Sequence, residues 1–240
     1  MDAKKYYNER DISHRRLTSL QTIRNSHNFI KAVLIQTFLK EKQKILDLGC
    51  GQGGDLLKLK LSRPSLYVGI DIAPNSIMAA QHRCSKIKLH CRCTFLCLDF
   101  TKENWGDFIT YGVINCQFAI QYAFICEKSA HSTFKKIAAH LVEGGFFIGS
   151  IPLHEDCNTY DEVLVKLPGD ERLCKEYVIN KKDLIDICQT YNLELIVFEK
   201  FAAYFETCKQ THAELAEKMR VTENPDPKNA IFVFQKCSKS

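Results

Sequence analysis

The sequence predicts a doubly wound α/β fold: a mainly parallel sheet with helices on both faces and a final antiparallel strand. Three observations carry this. Apolar runs of strand length alternate with segments of helical periodicity along most of the chain. A glycine cluster, Gly49-Cys50-Gly51-Gln52-Gly53-Gly54, lies between one such strand and the next helix, where the backbone must turn sharply and come close to a ligand. Asp71 ends the following strand, 22 residues after Gly49, where a carboxylate can accept hydrogen bonds from both hydroxyls of an adenosine ribose.

Residues 4–24 are polar and basic, with Arg15, Arg16 and Arg24, and read as an arm or short helix over residues 1–24 of one domain spanning 1–240. Asn25-Ser26 predicts a helix cap. Phe29, Ile30, Val33, Leu34 and Phe38 then recur at three- and four-residue spacing in a helix ending near Lys42. A strand follows at Lys44 to Leu48, then the glycine loop and a helix, a strand at Leu66 to Asp71 and a helix from Pro74 to about Lys86. Strands are expected at Thr94 to Leu98 and Gly112 to Cys116, a helix at Lys128 to Leu141, and a strand at Gly145 to Ile151 after the Gly144-Gly145 turn. Beyond Pro152 an irregular insert, residues 152–180, leads to Lys175 to Ile179. The helix Lys181 to Tyr191, the strand Glu194 to Phe198 and the closing strand Ala230 to Gln235 complete the pattern, with no element read between the last two. In such sheets ligands lie at the carboxyl ends of the strands.

Composition narrows the class without naming a substrate. The chain has 240 residues, 45% hydrophobic and 25% charged, enough for one sizeable core. Its 33 Lys and Arg against 28 Asp and Glu leave +5, a mild bias toward an anionic partner such as nucleic acid. No run of 18 apolar residues exists, so no membrane partner is expected. The start, Met1-Asp2-Ala3-Lys4-Lys5, is charged with no apolar run behind it, so the twelve cysteines are expected to be intracellular and reduced. Cys84, Cys91, Cys93 and Cys97 form the tightest cluster, without a C-x-x-C pair. With Phe95 and Leu96 between them they read as core cysteines in a buried strand, and no metal is expected.

Gly49, Gly51 and Gly54 satisfy the dinucleotide spacing G-x-G-x-x-G, which leaves a nicotinamide enzyme and a methyltransferase both open. The string Leu46-Asp47-Leu48-Gly49-Cys50-Gly51, preceded by a helix, resembles the first motif of the class I (Rossmann-like) S-adenosylmethionine-dependent methyltransferases. Four further stretches resemble the messenger RNA cap (guanine-N7) methyltransferases of eukaryotes and their viruses. These are Arg24-Asn25-Ser26-His27-Asn28-Phe29-Ile30-Lys31, Gly53-Gly54-Asp55-Leu56-Leu57-Lys58, Gln117-Phe118-Ala119-Ile120-Gln121-Tyr122 and Gly144-Gly145-Phe146-Phe147-Ile148-Gly149.

Carried over by position, the resemblance implies S-adenosylmethionine contacts at Lys31, Gly49, Asp71, Asp99, Gln117 and Tyr122, with Gly51 and Ile72 beside them and Asp47 near the methionine amino group. Lys31 would meet the methionine carboxylate and Asp99 the adenine amino group. It also implies a cap site of Asn28, Lys58, Arg83, Phe118 and Glu176: Glu176 accepting from guanine N1 and N2, Phe118 stacking on the purine, Lys58 and Arg83 neutralising phosphates. Four cap-side positions depart from the family, with His27 for Asn, Gln52 for a common Lys, Gln121 for His and Asn229 for a closing tyrosine. The plain alternative for Glu176 is an edge-strand charge.

The implied reaction is in-line methyl transfer to guanine N7 with no acid, base or metal, oriented by Glu176, Phe118 and Tyr122. The implied partners are 5′-capped RNA and other capping enzymes or RNA polymerase. A monomer is expected, with nuclear rather than cytoplasmic residence. Two readings stay beside it: transfer to another RNA or small-molecule acceptor, and a non-catalytic RNA-binding subunit.

Overall fold

The computed structural model describes residues 2–9, 18–106, 109–154, 156–166, 172–225 and 227–238. Its central strands are mainly apolar because helices cover both sheet faces. The first five are β1 (Lys44–Leu48), β2 (Leu66–Asp71), β3 (Arg92–Cys97), β4 (Tyr111–Gln117) and β5 (Leu141–Pro152). With β8 (Leu193–Lys200) and β9 (Asn229–Lys236) they form one sheet of order β3-β2-β1-β4-β5-β9-β8. Neighbouring pairs are parallel except β9, which runs antiparallel to both β5 and β8. A separate hairpin joins β6 (Glu162–Lys166) to β7 (Leu173–Tyr177).

The helices are α1 (Ala3–Asn8), α2 (Thr18–Phe38), α3 (Leu59–Ser62), α4 (Pro74–Lys86), α5 (Glu127–His140), α6 (Lys181–Thr190), α7 (Phe201–Thr211) and α8 (Ala213–Lys218). One apolar layer packs Phe134 and Ile137 of α5 and Leu184 and Ile187 of α6 on the sheet. The other packs Phe29, Val33 and Leu34 of α2, Leu59 of α3 and Phe205 of α7. Because β1 pairs with both β2 and β4, the winding reverses there and a crevice opens at their carboxyl ends. Register sets the crevice floor: Asp47 lies beside Gly69 and Asn115, and Gln117 beside Ser150.

Several elements differ from the sequence reading. Asn25 and Ser26 do not cap α2 but lie inside it. The Asn25 amide donates to Arg220 O at 3.2 Å and the Ser26 hydroxyl to Glu223 O, so tertiary partners override their capping preference. Arg15 and Arg16 lie outside the described residues. The helix after the glycine loop is only a 3₁₀ turn, Leu56–Lys58, and the four-residue α3. β3 is not a buried strand: it is the sheet edge, half-buried, with Cys97 exposed rather than in the core. The insert contains a strand, β6, that pairs with β7. Between β8 and β9 stand α7 and α8, and α7 buries Phe201, Phe205 and Cys208 at helical spacing. Its start carried no turn signal because β8 ends at Lys200 and α7 begins at Phe201. No helix among the described residues is long and apolar enough to cross a membrane.

Candidate active site

The crevice is a cavity of about 480 Å³, a usual size for a small-molecule site. Lys31, Gly49, Gly51, Asp71, Ile72, Asp99, Gln117, Phe118 and Tyr122, all expected from the sequence, line it together. Its floor depends on glycine. Gly49 has φ +71°, and a Cβ there would lie 2.4 Å from Ala119 Cβ. Gly51 has φ +52° with open space where a Cβ would project, so its backbone can meet a ligand directly. Asp71 is fixed by two backbone donors: Gly51 N–H to Oδ2 at 2.8 Å and Ala73 N–H to Oδ1 at 2.9 Å. Burial raises its pKa, and those amides oppose the shift. Asp99 Oδ1 accepts from Thr101 N at 3.0 Å and Thr101 Oγ1 at 2.6 Å, with Lys102 Nζ at 3.3 Å from Oδ2. Burial alone would raise Asp99, but these partners hold it below its ordinary value and keep it an acceptor.

Asp47 is not in the cavity wall; it lies behind it, 2% exposed. Tyr67 Oη donates to its Oδ2 at 2.8 Å and Asn115 Nδ2 to its Oδ1 at 2.7 Å. Gln117 Nε2 in turn donates to Asn115 Oδ1, and Ser150 Oγ to Gln117 Oε1, each at 2.8 Å. This chain crosses from β2 to β5 and locks the amide of Gln117 at the cavity. Burial, then the charge of Asp55, push Asp47 up to about 7. Burial lowers the pKa of Lys31, which lies near Asp55 and holds its ammonium 5.3 Å from the centroid of the Phe118 ring. Phe118 itself adopts φ +56°, a costly conformation for a bulky residue that turns the chain abruptly after β4.

The cap-side residues are placed differently. Glu176, on β7, is not an exposed edge charge: it is 4% exposed, and Tyr122 Oη donates to its Oε1 at 3.2 Å. Burial raises its pKa, and hydrogen bonds from Tyr122 and Gln121 oppose this. Gln121 Nε2 also lies within bonding distance of Phe118 O, at 3.1 Å, while its buried Oε1 has no hydrogen-bond partner among the described residues. Lys58 is buried and engaged, with Asp55 at 2.7 Å, Asn28 Oδ1 at 3.0 Å and Gly54 O at 2.9 Å. His27 stacks near Phe118, ring centroids 6.0 Å apart. Arg83 is exposed on α4, Gln52 lies in the glycine loop, and Asn229 is buried at the start of β9.

Sequence reasoning missed the wall contributed by α1. Asp2, Ala3, Lys4 and Tyr7 line the cavity, and the Tyr7 and Tyr122 hydroxyls lie 3.3 Å apart. It also missed Thr101, Tyr67, Asn115 and Ser150. The last two carried a legible signal, a polar residue inside an apolar strand.

A solved methyltransferase, CcbJ from Streptomyces caelestis, shares the fold with a TM-score of 0.63 at 14% identity, covering 89% of this chain and 90% of that one. Sheet order and crevice are those of the class I methyltransferase fold. The model of the mRNA (guanine-N(7))-methyltransferase domain matches residues 2–166. The chain is 27% identical over 251 residues to mRNA cap guanine-N(7) methyltransferase 1 of Arabidopsis thaliana, covering 88% of this chain and 67% of that protein. It is 33% identical over 162 residues to the mRNA cap guanine-N(7) methyltransferase of Saccharomyces cerevisiae, covering 62% of this chain but 37% of that one. The chain belongs to the mRNA (guanine-N(7))-methyltransferase family.

Proposed function

We propose that the protein methylates N7 of the terminal guanine of 5′-capped RNA, with the insert, residues 152–180, supplying part of the acceptor side. The observation that carries the reading is Glu176: a buried carboxylate one hydrogen bond from Tyr122, which lines the cofactor crevice. A carboxylate there suits guanine because N1–H and N2–H both donate, and it gains as the purine becomes cationic.

S-adenosylmethionine, when bound, supplies an electrophilic sulfonium methyl. The residues fit it: the glycine floor accepts close backbone approach, Asp71 offers its remaining lone pairs to ribose hydroxyls, Asp99 remains an acceptor for the adenine amino group, and Lys31 presents a cation for the methionine carboxylate. Since guanine N7 already presents a lone pair, no side chain has to remove a proton. The task left to Glu176, Phe118 and Tyr122 is to hold nitrogen, methyl and sulfur in line. Nuclear residence and association with other capping enzymes or RNA polymerase belong to the same proposal.

Radiolabelled transfer to GpppA and GpppG, with the product nitrogen identified, tests the reading. Product at N7 supports it; no product from either cap, with transfer to a metabolite or an uncapped RNA, replaces it. That second reading draws on Lys58, already held by Asp55, and on Asn229 in place of a closing aromatic ring.

A further inference from the structure

The chain's positive charge is concentrated in one segment. Residues 56–98 contain seven of the 33 Lys and Arg but one of the 28 Asp and Glu, Asp71, which is committed to the crevice. The rest of the chain is close to neutral, so the net charge of +5 resides here. Lys58 is buried against Asp55, but Lys60, Arg63, Arg83, Lys86, Lys88 and Arg92 are all exposed, and none forms an ion pair among the described residues. Lys182 on α6, by contrast, lies 3.6 Å from Asp186 one turn on.

Five of these six cations, Lys60, Arg63, Arg83, Lys86 and Lys88, belong to one side of the sheet, whereas Arg92, which alternates with Cys91 and Cys93 and pairs with Leu66, points to the other. Leu59 of α3 packs in the same apolar layer as Cys84 and Ile87 at the end of α4 and Cys91 and Cys93 at the start of β3. The glycine loop touches α4, since a Cβ on Gly53 would lie 3.3 Å from Ala80 Cβ, one helical turn before Arg83. The face therefore begins at the crevice, whose Gly49, Gly51, Asp71 and Ile72 immediately precede its elements, and leads away along α4 to Lys88. Leu57 and Leu61, 60% and 72% exposed, flank Lys60 and offer apolar surface to bases.

We propose that this α3–α4 face is an electrostatic track for the single-stranded RNA that follows the methylated end. The inference rests on the capped-RNA reading: a cap seated in the crevice obliges the polyanion behind it to leave across neighbouring surface, and this surface holds the excess cations. Dispersed contacts of this kind read phosphates rather than sequence.

The test compares the protein with Lys60→Gln/Lys86→Gln/Lys88→Gln, which changes only exposed side chains outside the crevice. The substrates are GpppG and an unstructured capped RNA of about 20 nucleotides. Three phosphate contacts on a single strand give a salt slope near −2, so the advantage of the long RNA should fall about 20-fold between roughly 50 and 200 mM salt. The variant should lose that advantage and its salt dependence, with kcat and the KM for GpppG unchanged. Lys128→Gln/Lys135→Gln, on α5, should behave as the unsubstituted protein.

Equal loss on both substrates or equal loss in the α5 variant would each overturn the track. So would a polyglutamate peptide that binds the face as tightly as RNA, which would point to an acidic protein partner. If neither capped substrate is methylated, the capped-RNA reading falls, and anisotropy with an uncapped RNA of about 20 nucleotides decides the track alone. Binding that the triple variant loses sustains it, and no binding by the unsubstituted protein overturns it.

Discussion

Asp71 is placed so that one carboxylate can serve both fold and ligand. Gly51 N–H and Ala73 N–H each occupy one lone pair, on different oxygens, leaving the others for a ligand. Asp71→Asn keeps the shape but turns one oxygen into a donor facing an N–H. Hydrogen bonds to charged groups contribute about 1.5–3 kcal/mol, so S-adenosylmethionine affinity should fall roughly 10- to 100-fold by calorimetry. In the proposed reaction Glu176 serves the other substrate. Only its ionised form accepts from guanine N1–H and N2–H, and burial places its pKa above the ordinary glutamate value of about 4.3. Activity on a capped dinucleotide should therefore rise with pH through that raised value. Glu176→Gln should remove this rise and most of the activity while still binding S-adenosylmethionine; a surviving rise would assign it to another group. Stability moves the opposite way: the native state keeps this proton to higher pH than the unfolded chain, so the contribution of Glu176 to stability falls as pH rises from the unfolded value to the folded one.

At the scale of elements, α1 is the part of the site whose contribution is the easiest to isolate. It ties to α4 through Asn75 N–H to Asn8 Oδ1 at 3.1 Å and Asn75 Nδ2 to Asn8 O at 2.8 Å. Tyr7 meets Tyr122, and Glu9 lies 3.6 Å from Arg172 beside β7. Removing residues 1–9 should raise the Kd for S-adenosylmethionine about tenfold, equivalent to about 1.4 kcal/mol, and also lower stability because Tyr6 is fully buried. Tyr7→Phe separates the two effects, since it deletes the hydroxyl and leaves Tyr6 in place; unchanged affinity in both variants would exclude α1 from binding. None of this was legible beforehand. The partners of α1 lie far along the chain and leave no local pattern in a short polar helix, whereas the glycine loop, Asp71 and Asp99 announced themselves because strand ends and glycines carry local constraints. α7 falls between: Phe201, Phe205 and Cys208 repeat at helical spacing, but nothing punctuates its junction with β8. Lys58 was recognisable as a cation of the site, yet its burial against Asp55 depends on how the loop folds back on itself.

Over the whole molecule, the crevice joins most of the layers, so occupancy should be read globally. Its wall takes residues from α1, α2, β7 and the ends of β1, β2 and β4, and the hydrogen-bonded chain from Tyr67 to Ser150 beneath it spans four adjacent strands. A ligand that binds only when these elements are assembled stabilises them together: at one hundred times its Kd the gain is about 2.7 kcal/mol. For a chain of 240 residues each kcal/mol is worth about 2–4 °C, so saturating S-adenosylmethionine should raise Tm by roughly 5–10 °C. A nicotinamide dinucleotide shares the adenosine but has no amino-acid group for Lys31, and at the same concentration should leave Tm within about 1 °C of the free protein. All twelve cysteines are free, so both melts should be the same with and without a thiol reductant. Equal shifts from the two ligands would mean that the glycine loop and Asp71 recognise adenosine alone and that Lys31 contributes nothing to the choice of cofactor.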